Sequence, residues 1–200
     1  MNSLSSREPR IVILASGFST RLGAPKPLAR IHGRTLLDRL TRTLATLSRR
    51  PAAIVVPPRS ATRRAASQLG LVCLDNPHRH RGLSSAVRIA LRHASHAPGV
   101  LLLPVDLAEL RQESLARMLN RWRGQRRKVV ARRLGGRGVI PLLLPRHYFY
   151  AANTLHGDTG LRDWIATLSV DQVVLVDMRS AESDVDTPSD LTRARRRFNR

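Results

Sequence analysis

The residues with chemical potential fall in one loop and two distant carboxylates. The stretch from Leu14 to Lys26, LASGFSTRLGAPK, sets Ser16, Gly17, Ser19, Thr20 and Gly23 directly after the apolar run Ile11-Val12-Ile13-Leu14. Small residues let the backbone approach a ligand, and a Gly-rich turn presents several N–H groups to one point, which suits phosphate oxygens. Arg21 and Lys26 add positive charge from the same loop. Of the 35 basic residues only two are lysines, Lys26 and Lys128. Arginine offers a planar fork, whereas lysine offers a compact point charge that can follow charge onto a five-coordinate phosphorus centre. The loop is not a Walker A sequence, because five residues separate Gly17 from Gly23 and Lys26 follows Ala24-Pro25. It is not G-x-G-x-x-G either, so the dinucleotide fingerprint is excluded. What remains is a polyphosphate loop of another kind.

The carboxylates are Asp106 and Asp186. Asp106 closes the apolar run LLLPVD. Asp186 immediately precedes TPSDL, where Thr187, Pro188 and Asp190 are placed as N-cap, first turn and N3 of a helix. Magnesium is usually held by one or two carboxylates plus substrate phosphates. Eighty residues apart, these two can converge at one edge of a sheet. Asp184 competes with Asp186 in the same turn. The plainer readings are a loop residue or helix cap for Asp106, and helix N-terminal electrostatics for Asp186.

The elements that must position these groups follow from periodicity. Strands are predicted at Ile11–Leu14, Ala53–Val56, Leu71–Leu74, Val100–Val105, Val129–Ala131, Val139–Leu144 and Val173–Val176. They are rich in Val, Ile and Leu without strict alternation, as strands buried on both faces are. Leu36, Leu37, Leu40, Leu44 and Leu47 recur at helical spacing, with Thr35 and Asp38 as a capping-box-like start. Leu115, Met118, Leu119 and Trp122 mark a second helix, ended by Gly124. Further helices are predicted over Ser84–His93, Arg146–Leu155 and Leu161–Leu168, and after Thr187. Alternating strands and helices predict an α/β fold with a mostly parallel sheet. In such sheets ligands bind beyond the carboxyl ends of the strands, where the first loop lies.

The bulk numbers limit the function. Two hundred residues fit one domain. No apolar stretch approaches the ~20 residues of a membrane helix, and the start MNSLSSREP has no secretory h-region. The single cysteine, Cys73 in LVCL, reads as a small buried hydrophobe. A soluble cytoplasmic protein is the expectation. A net charge of +21 suits polyphosphates, but with aromatics at 4% there is little for bases to stack on, which argues against specific nucleic-acid binding. His78 and His80 lack partners at zinc spacing. Ser84-Ser85 lacks a G-x-S-x-G elbow and reads as a helix start or phosphate contact. Asp158 or Thr159 in GDTG reads as a helix cap.

The stretch LASGFSTRLGAPKPLARIHGRTLLDR resembles the L-A-[AG]-G-x-S-x-R-x-G-x-x-K signature of the MobA-like nucleotidyltransferases, which include the molybdopterin guanylyl- and cytidylyltransferases. DNPHRHRGLSSAVRIAL is similar to the family's N-P-x-x-x-x-G-[LM]-S-x-S segment. LLLPVD, LHGDTGLRDWI and DVDTPSDL follow in the family's order, so the pieces span about residues 11 to 192. The resemblance implies a Rossmann-like three-layer α/β/α sandwich, with one nucleotidyltransferase domain over residues 10–197 after a flexible stretch at 1–9. It implies transfer of a nucleoside monophosphate from a nucleoside triphosphate to a phosphate-bearing acceptor, with molybdopterin the first choice. A sugar or polyol phosphate is the alternative acceptor, and a non-catalytic basic nucleic-acid-binding module the alternative class.

The resemblance also implies roles. Leu14, Ala15, Ser16 and Gly17 match the stretch against the base and phosphates. Arg21 matches the phosphate-binding arginine, and Lys26 the lysine that neutralises the α-phosphate in the pentavalent state. Asp75 falls near an acidic residue close to the nucleoside. Asp106 and Asp186 match the magnesium ligands. The third signature position is glycine in the guanylyl branch and alanine in the cytidylyl branch; Ser16 is neither. A serine fills space as alanine does, which favours CTP over GTP. Departures from the family pattern are Leu107-Ala108, where Gln-Pro is usual, Pro57-Pro58 after the second strand, and the Gly138–Pro141 spacing.

Overall fold

The computed structural model describes residues 8–48, 50–157, 160–178 and 184–198. The chain begins with β1 (Arg10–Leu14), a small hairpin of β2 (Arg30–Ile31) and β3 (Arg34–Thr35), and α1 (Leu36–Ala45). Then come β4 (Ala53–Val56), α2 (Ala61–Gln68), β5 (Val72–Asp75), α3 (Leu83–His93), β6 (Gly99–Pro104) and α4 (Gln112–Gly124). The remainder is β7 (Val129–Leu134), β8 (Arg137–Pro145), α5 (Phe149–Asn153), α6 (Gly160–Thr167), β9 (Val173–Val176) and α7 (Pro188–Arg197).

Seven strands form one sheet in the order β5-β4-β1-β6-β8-β7-β9. Side chains alternate across it because the strand period is two. Ile11 and Ile13 of β1 pack with Leu37, Leu40 and Leu44 of α1 and with Leu115, Met118 and Trp122 of α4. Val12 and Leu14 point the other way, to Ala86, Val87 and Ala90 of α3 and Leu161 and Ile165 of α6. The result is the expected three-layer α/β/α sandwich, apolar on both faces of the sheet.

The sheet is mostly parallel, as predicted, with β8 running antiparallel to both β6 and β7. The cause is local. Gly135 and Gly136 join β7 to β8 with φ of 55° and 77°, and a two-residue turn with positive φ at both positions can only reverse the chain. The helix expected over Arg146–Leu155 is shorter: a 3-10 turn at Arg146–Tyr148 precedes α5. Helix α2 was not foreseen from periodicity. Ser60 caps it by accepting from the Arg63 amide at 3.1 Å, but only Thr62 and Ala66 are buried, so it carries no apolar stripe. Of the stretch expected to be flexible, residues 1–7 lie outside the described ones. Glu8 pairs with Arg123 at 3.2 Å and Pro9 is buried.

Two features of this frame position the site. Leu14 and Pro104 are register partners, so the chains leaving β1 and β6 emerge side by side. The β2–β3 hairpin packs on α7 through Ile31, Leu36, Ala108, Val185 and Ala194, which brings the end of the chain back to the first loop.

Close packing also holds β6 against β8. A Cβ on Gly99 would lie 2.8 Å from the Leu144 carbonyl oxygen and 3.1 Å from the Trp122 ring. Gly99→Ala is expected to lower stability by about 1–3 kcal/mol, read as a lower urea midpoint at unchanged m-value.

Candidate active site

The first loop opens on a cleft of about 420 Å³ beyond the carboxyl ends of β1 and β6. One side is the backbone from Leu14 to Ser19, together with Lys26 and Pro27; another is Arg79, His80, Gly82, Leu83 and Ala86; Pro104 to Asp106 and Ile140 complete it. The loop turns sharply. Ser19 has φ 54°, a 3-10 turn spans Thr20–Leu22, and Gly23 follows at φ 71°. That left-handed backbone explains a glycine there. The Ser19 hydroxyl accepts from the Lys26 amide at 3.1 Å and so fixes where the lysine starts.

Lys26 Nζ donates to Asp106 Oδ2 at 3.1 Å and to Asp186 Oδ1. The other Asp186 oxygen, Oδ2, accepts from Arg21 Nη2 at 3.0 Å. Lys26, Arg21, Asp106 and Asp186, separated by up to 165 residues, thus form one charge-balanced cluster. Burial disfavours the Lys26 ammonium, but the Asp106 charge and the hydrogen bonds to both aspartates outweigh it and raise its pKa. The Lys26 side chain is 17% exposed and Arg21 69%, so water screens the arginine pair far more than the lysine pairs.

Backbone contacts bring the aspartates together. The Val185 amide donates to the Asp106 carbonyl at 3.0 Å, and Leu107 bridges to Asp184. The start of α7 then holds Asp186 by a capping box. Thr187 Oγ1 accepts from the Asp190 amide, and Asp190 Oδ2 accepts from the amides of Thr187 at 2.9 Å and Asp186 at 3.2 Å. Asp184 lies apart from the cluster's cations: its Oδ1 faces the buried Arg132 at 3.4 Å. Burial and the neighbouring Asp106 push its pKa up, and Arg132 offsets only part of this.

The other expected residues fall as follows. Leu14, Ala15, Ser16 and Gly17 line the cleft. Asp75 ends β5, pairs with Arg63 at 2.8 Å and lies outside the cleft lining. The Cys73 thiol is pushed up in pKa by burial, in keeping with an inert side chain. Asp158 and Thr159 lie outside the described residues.

Asn76 stands in the Asn-Pro pair of the second matched segment but was given no role from the sequence. It is fully buried. Its Nδ2 donates to Ser16 Oγ at 3.0 Å and Ser85 Oγ at 2.9 Å, and its Oδ1 accepts from the His78 amide at 3.1 Å. One amide therefore ties the first loop to the start of α3. The Asn-Pro pair, an Asx-turn signature, was the available signal. A second contact without a signal in spacing is Arg79, stacked 4.1 Å over the exposed Phe18 ring at the cleft rim.

The cap at α7 is testable. Thr187→Ala is expected to cost about 1 kcal/mol in urea unfolding at neutral pH. Asp190 has a lowered pKa, caused first by the hydrogen bond to the Thr187 side chain. Its contribution is therefore present above the unfolded carboxylate pKa and lost as pH falls through the lower folded value. The wild-type advantage over Thr187→Ala should shrink in melts at progressively lower pH.

The chain is 35% identical over 113 residues to a molybdenum cofactor guanylyltransferase of Acidiphilium cryptum (strain JF-5), covering 54% of this chain and 56% of that protein. It is 38% identical over 87 residues to a bifunctional IPC transferase and DIPP synthase of Rubrobacter xylanophilus, covering 40% of this chain and 20% of that protein. The chain thus spans just over half of the first relative and a fifth of the second. Among solved structures, Rv0371c from Mycobacterium tuberculosis H37Rv superposes with a TM-score of 0.73 at 25% identity, covering 94% of this chain and 98% of that one. The manganese complex of Rv0371c gives 0.71 at 24% identity, covering the same 94% and 98%. Among the described residues no helix is long and apolar enough to cross a membrane. The model of the MobA-like NTP transferase domain matches residues 11–173, and the chain belongs to that family of nucleotidyltransferases.

Proposed function

We propose that this protein moves a nucleoside monophosphate from a nucleoside triphosphate to a phosphate on a small acceptor and releases pyrophosphate. The observation that carries this reading is the Lys26 ammonium held between Asp106 and Asp186 at the mouth of a glycine-rich loop. Two carboxylates there converge on one cationic centre. Magnesium asks for that donor set, with substrate phosphates completing it. No group of three or more His, Cys, Asp or Glu fit for a metal occurs among the described residues, so the nucleotide would have to supply the remaining oxygens. The likeness to a protein solved with manganese supports a divalent ion. Held by Asp106 and Asp186, magnesium would neutralise phosphate charge.

The protein's own residues do the rest by position and charge. The backbone from Leu14 to Gly17 receives the nucleotide. Lys26 leaves the carboxylates for the α-phosphate, and Arg21 turns to the phosphates beside it. An acceptor phosphate oxygen attacks the α-phosphorus, a new P–O bond forms, and the bond to the β-phosphate breaks with its electron pair on pyrophosphate. No covalent enzyme intermediate is required.

For the base, CTP stands before GTP. Ser16 carries a side chain where the guanylyl branch has glycine, and its hydroxyl is engaged by Asn76. The acceptor read from the family is molybdopterin. The match to the bifunctional transferase favours, as a second reading, another phosphate-bearing acceptor.

Lys26→Ala is expected to lower turnover by about 10²–10³-fold, the usual loss when one charge-stabilising donor is removed. It should also strengthen Mn²⁺ binding without nucleotide, measured by electron paramagnetic resonance, because the competing ammonium is gone. Near-normal turnover of this variant would sink the assignment. For the base, thermal shifts with each of the four triphosphates and magnesium should be largest with CTP; equal shifts would remove the preference.

A further inference from the structure

A second basic cleft lies on the far side of the segment that follows Asp106. It measures about 270 Å³ and shares no lining residue with the cleft at the first loop. Arg34 of β3, Arg39 and Arg42 of α1, Arg111 at the cap of α4, and Arg197 and Phe198 at the end of α7 surround it, with Glu109 the one acidic residue in the lining. Two of its five guanidinium groups have carboxylate partners. Arg197 pairs with Glu109 at 3.2 Å and Arg42 with Asp38 at 3.0 Å. Arg34, Arg39 and Arg111 have no carboxylate at ion-pair distance among the described residues.

Arg39 shows that the excess is structural and not only a scatter of surface charge. One of its nitrogens, Nη2, donates to the Ile31 carbonyl at 2.7 Å, and its guanidinium stacks 4.3 Å over Phe198. Its Nε is sealed from water with no hydrogen-bond partner. Burial, and then the neighbouring Arg34, lower its pKa, and Asp38 offsets only part of this. A buried donor without a partner carries a desolvation cost, so the position of this guanidinium is set by its packing and not by solvation.

We propose that this cleft binds a small phosphoanion of the size of phosphate or pyrophosphate. Arginine forks match phosphate oxygens in pairs, and three guanidinium groups with no ion-pair partner among the described residues, around a cavity this small, fit one anionic group with several oxygens. A nucleic-acid backbone would be recognised by the charge of the whole face. The cleft instead confines its unmatched arginines to one concavity between α1, α4 and the end of α7.

The test is calorimetric titration of inorganic pyrophosphate, without metal, into the full chain carrying Arg21→Ala and Lys26→Ala to silence the first cleft. One binding event is expected to persist. Adding Arg34→Ala with Arg111→Ala should weaken it by roughly tenfold or more, as loss of charged hydrogen bonds predicts. Adding Arg64→Ala with Arg121→Ala, which removes the same charge from exposed positions elsewhere, should leave it unchanged. Both added pairs are exposed, and matching circular dichroism melts would show that the fold is retained. Equal weakening by the two pairs, or no residual binding at the start, overturns the proposal. So would loss of duplex DNA binding in the Arg34/Arg111 variant with pyrophosphate binding intact.

Discussion

One backbone hydrogen bond governs the arrangement: the amide of Val185 on the carbonyl of Asp106. It joins the end of a central strand to a segment eighty residues further on. Without it the two aspartates belong to unrelated parts of the chain. With it, their carboxylates face the same small volume, and the loop after β1 needs only to deliver a cation there. Lys26 does so. Three segments distant in sequence are thereby locked through two kinds of bond, one between backbones and one between opposite charges. The charges are partly buried, and separating them would leave a carboxylate poorly compensated.

The support beneath this junction is polar as well as apolar. Asn76 is buried and hydrogen bonded through both of its side-chain polar atoms. It holds Ser16 from below while the sheet holds Leu14 from behind. A loop made of small residues has little packing of its own, so its shape depends on such ties. Ser19 performs the same service at the other end, through the Lys26 amide.

Much of this was legible in the sequence, for identifiable reasons. Buried strands announce themselves as runs of Val, Ile and Leu, and α1 and α7 through capping residues at Thr35 and Thr187. Arg21, Lys26, Asp106 and Asp186 were legible as residues, and the two aspartates were expected to converge at one edge of the sheet, but the contact by which they do so was not, because it is a backbone hydrogen bond with no side-chain signature. Helix α2 escaped notice because small residues at a sheet edge satisfy burial without an apolar stripe. Asn76 escaped because a lone amide before proline reads equally well as a turn. Ser16 looked like a matter of volume alone; its hydroxyl proves also to be a fastening point.

The reversed strand β8 has a consequence for how such a chain can diversify. Ile140, which comes from β8, borders the same cleft as the loop after β1. One side of the cleft is thus written in the first quarter of the chain, while Ile140, its one lining residue after Asp106, comes from a hairpin fixed by two glycines. The two share no turn, so a substitution at Ile140 can reshape the cleft without disturbing the loop that holds Lys26.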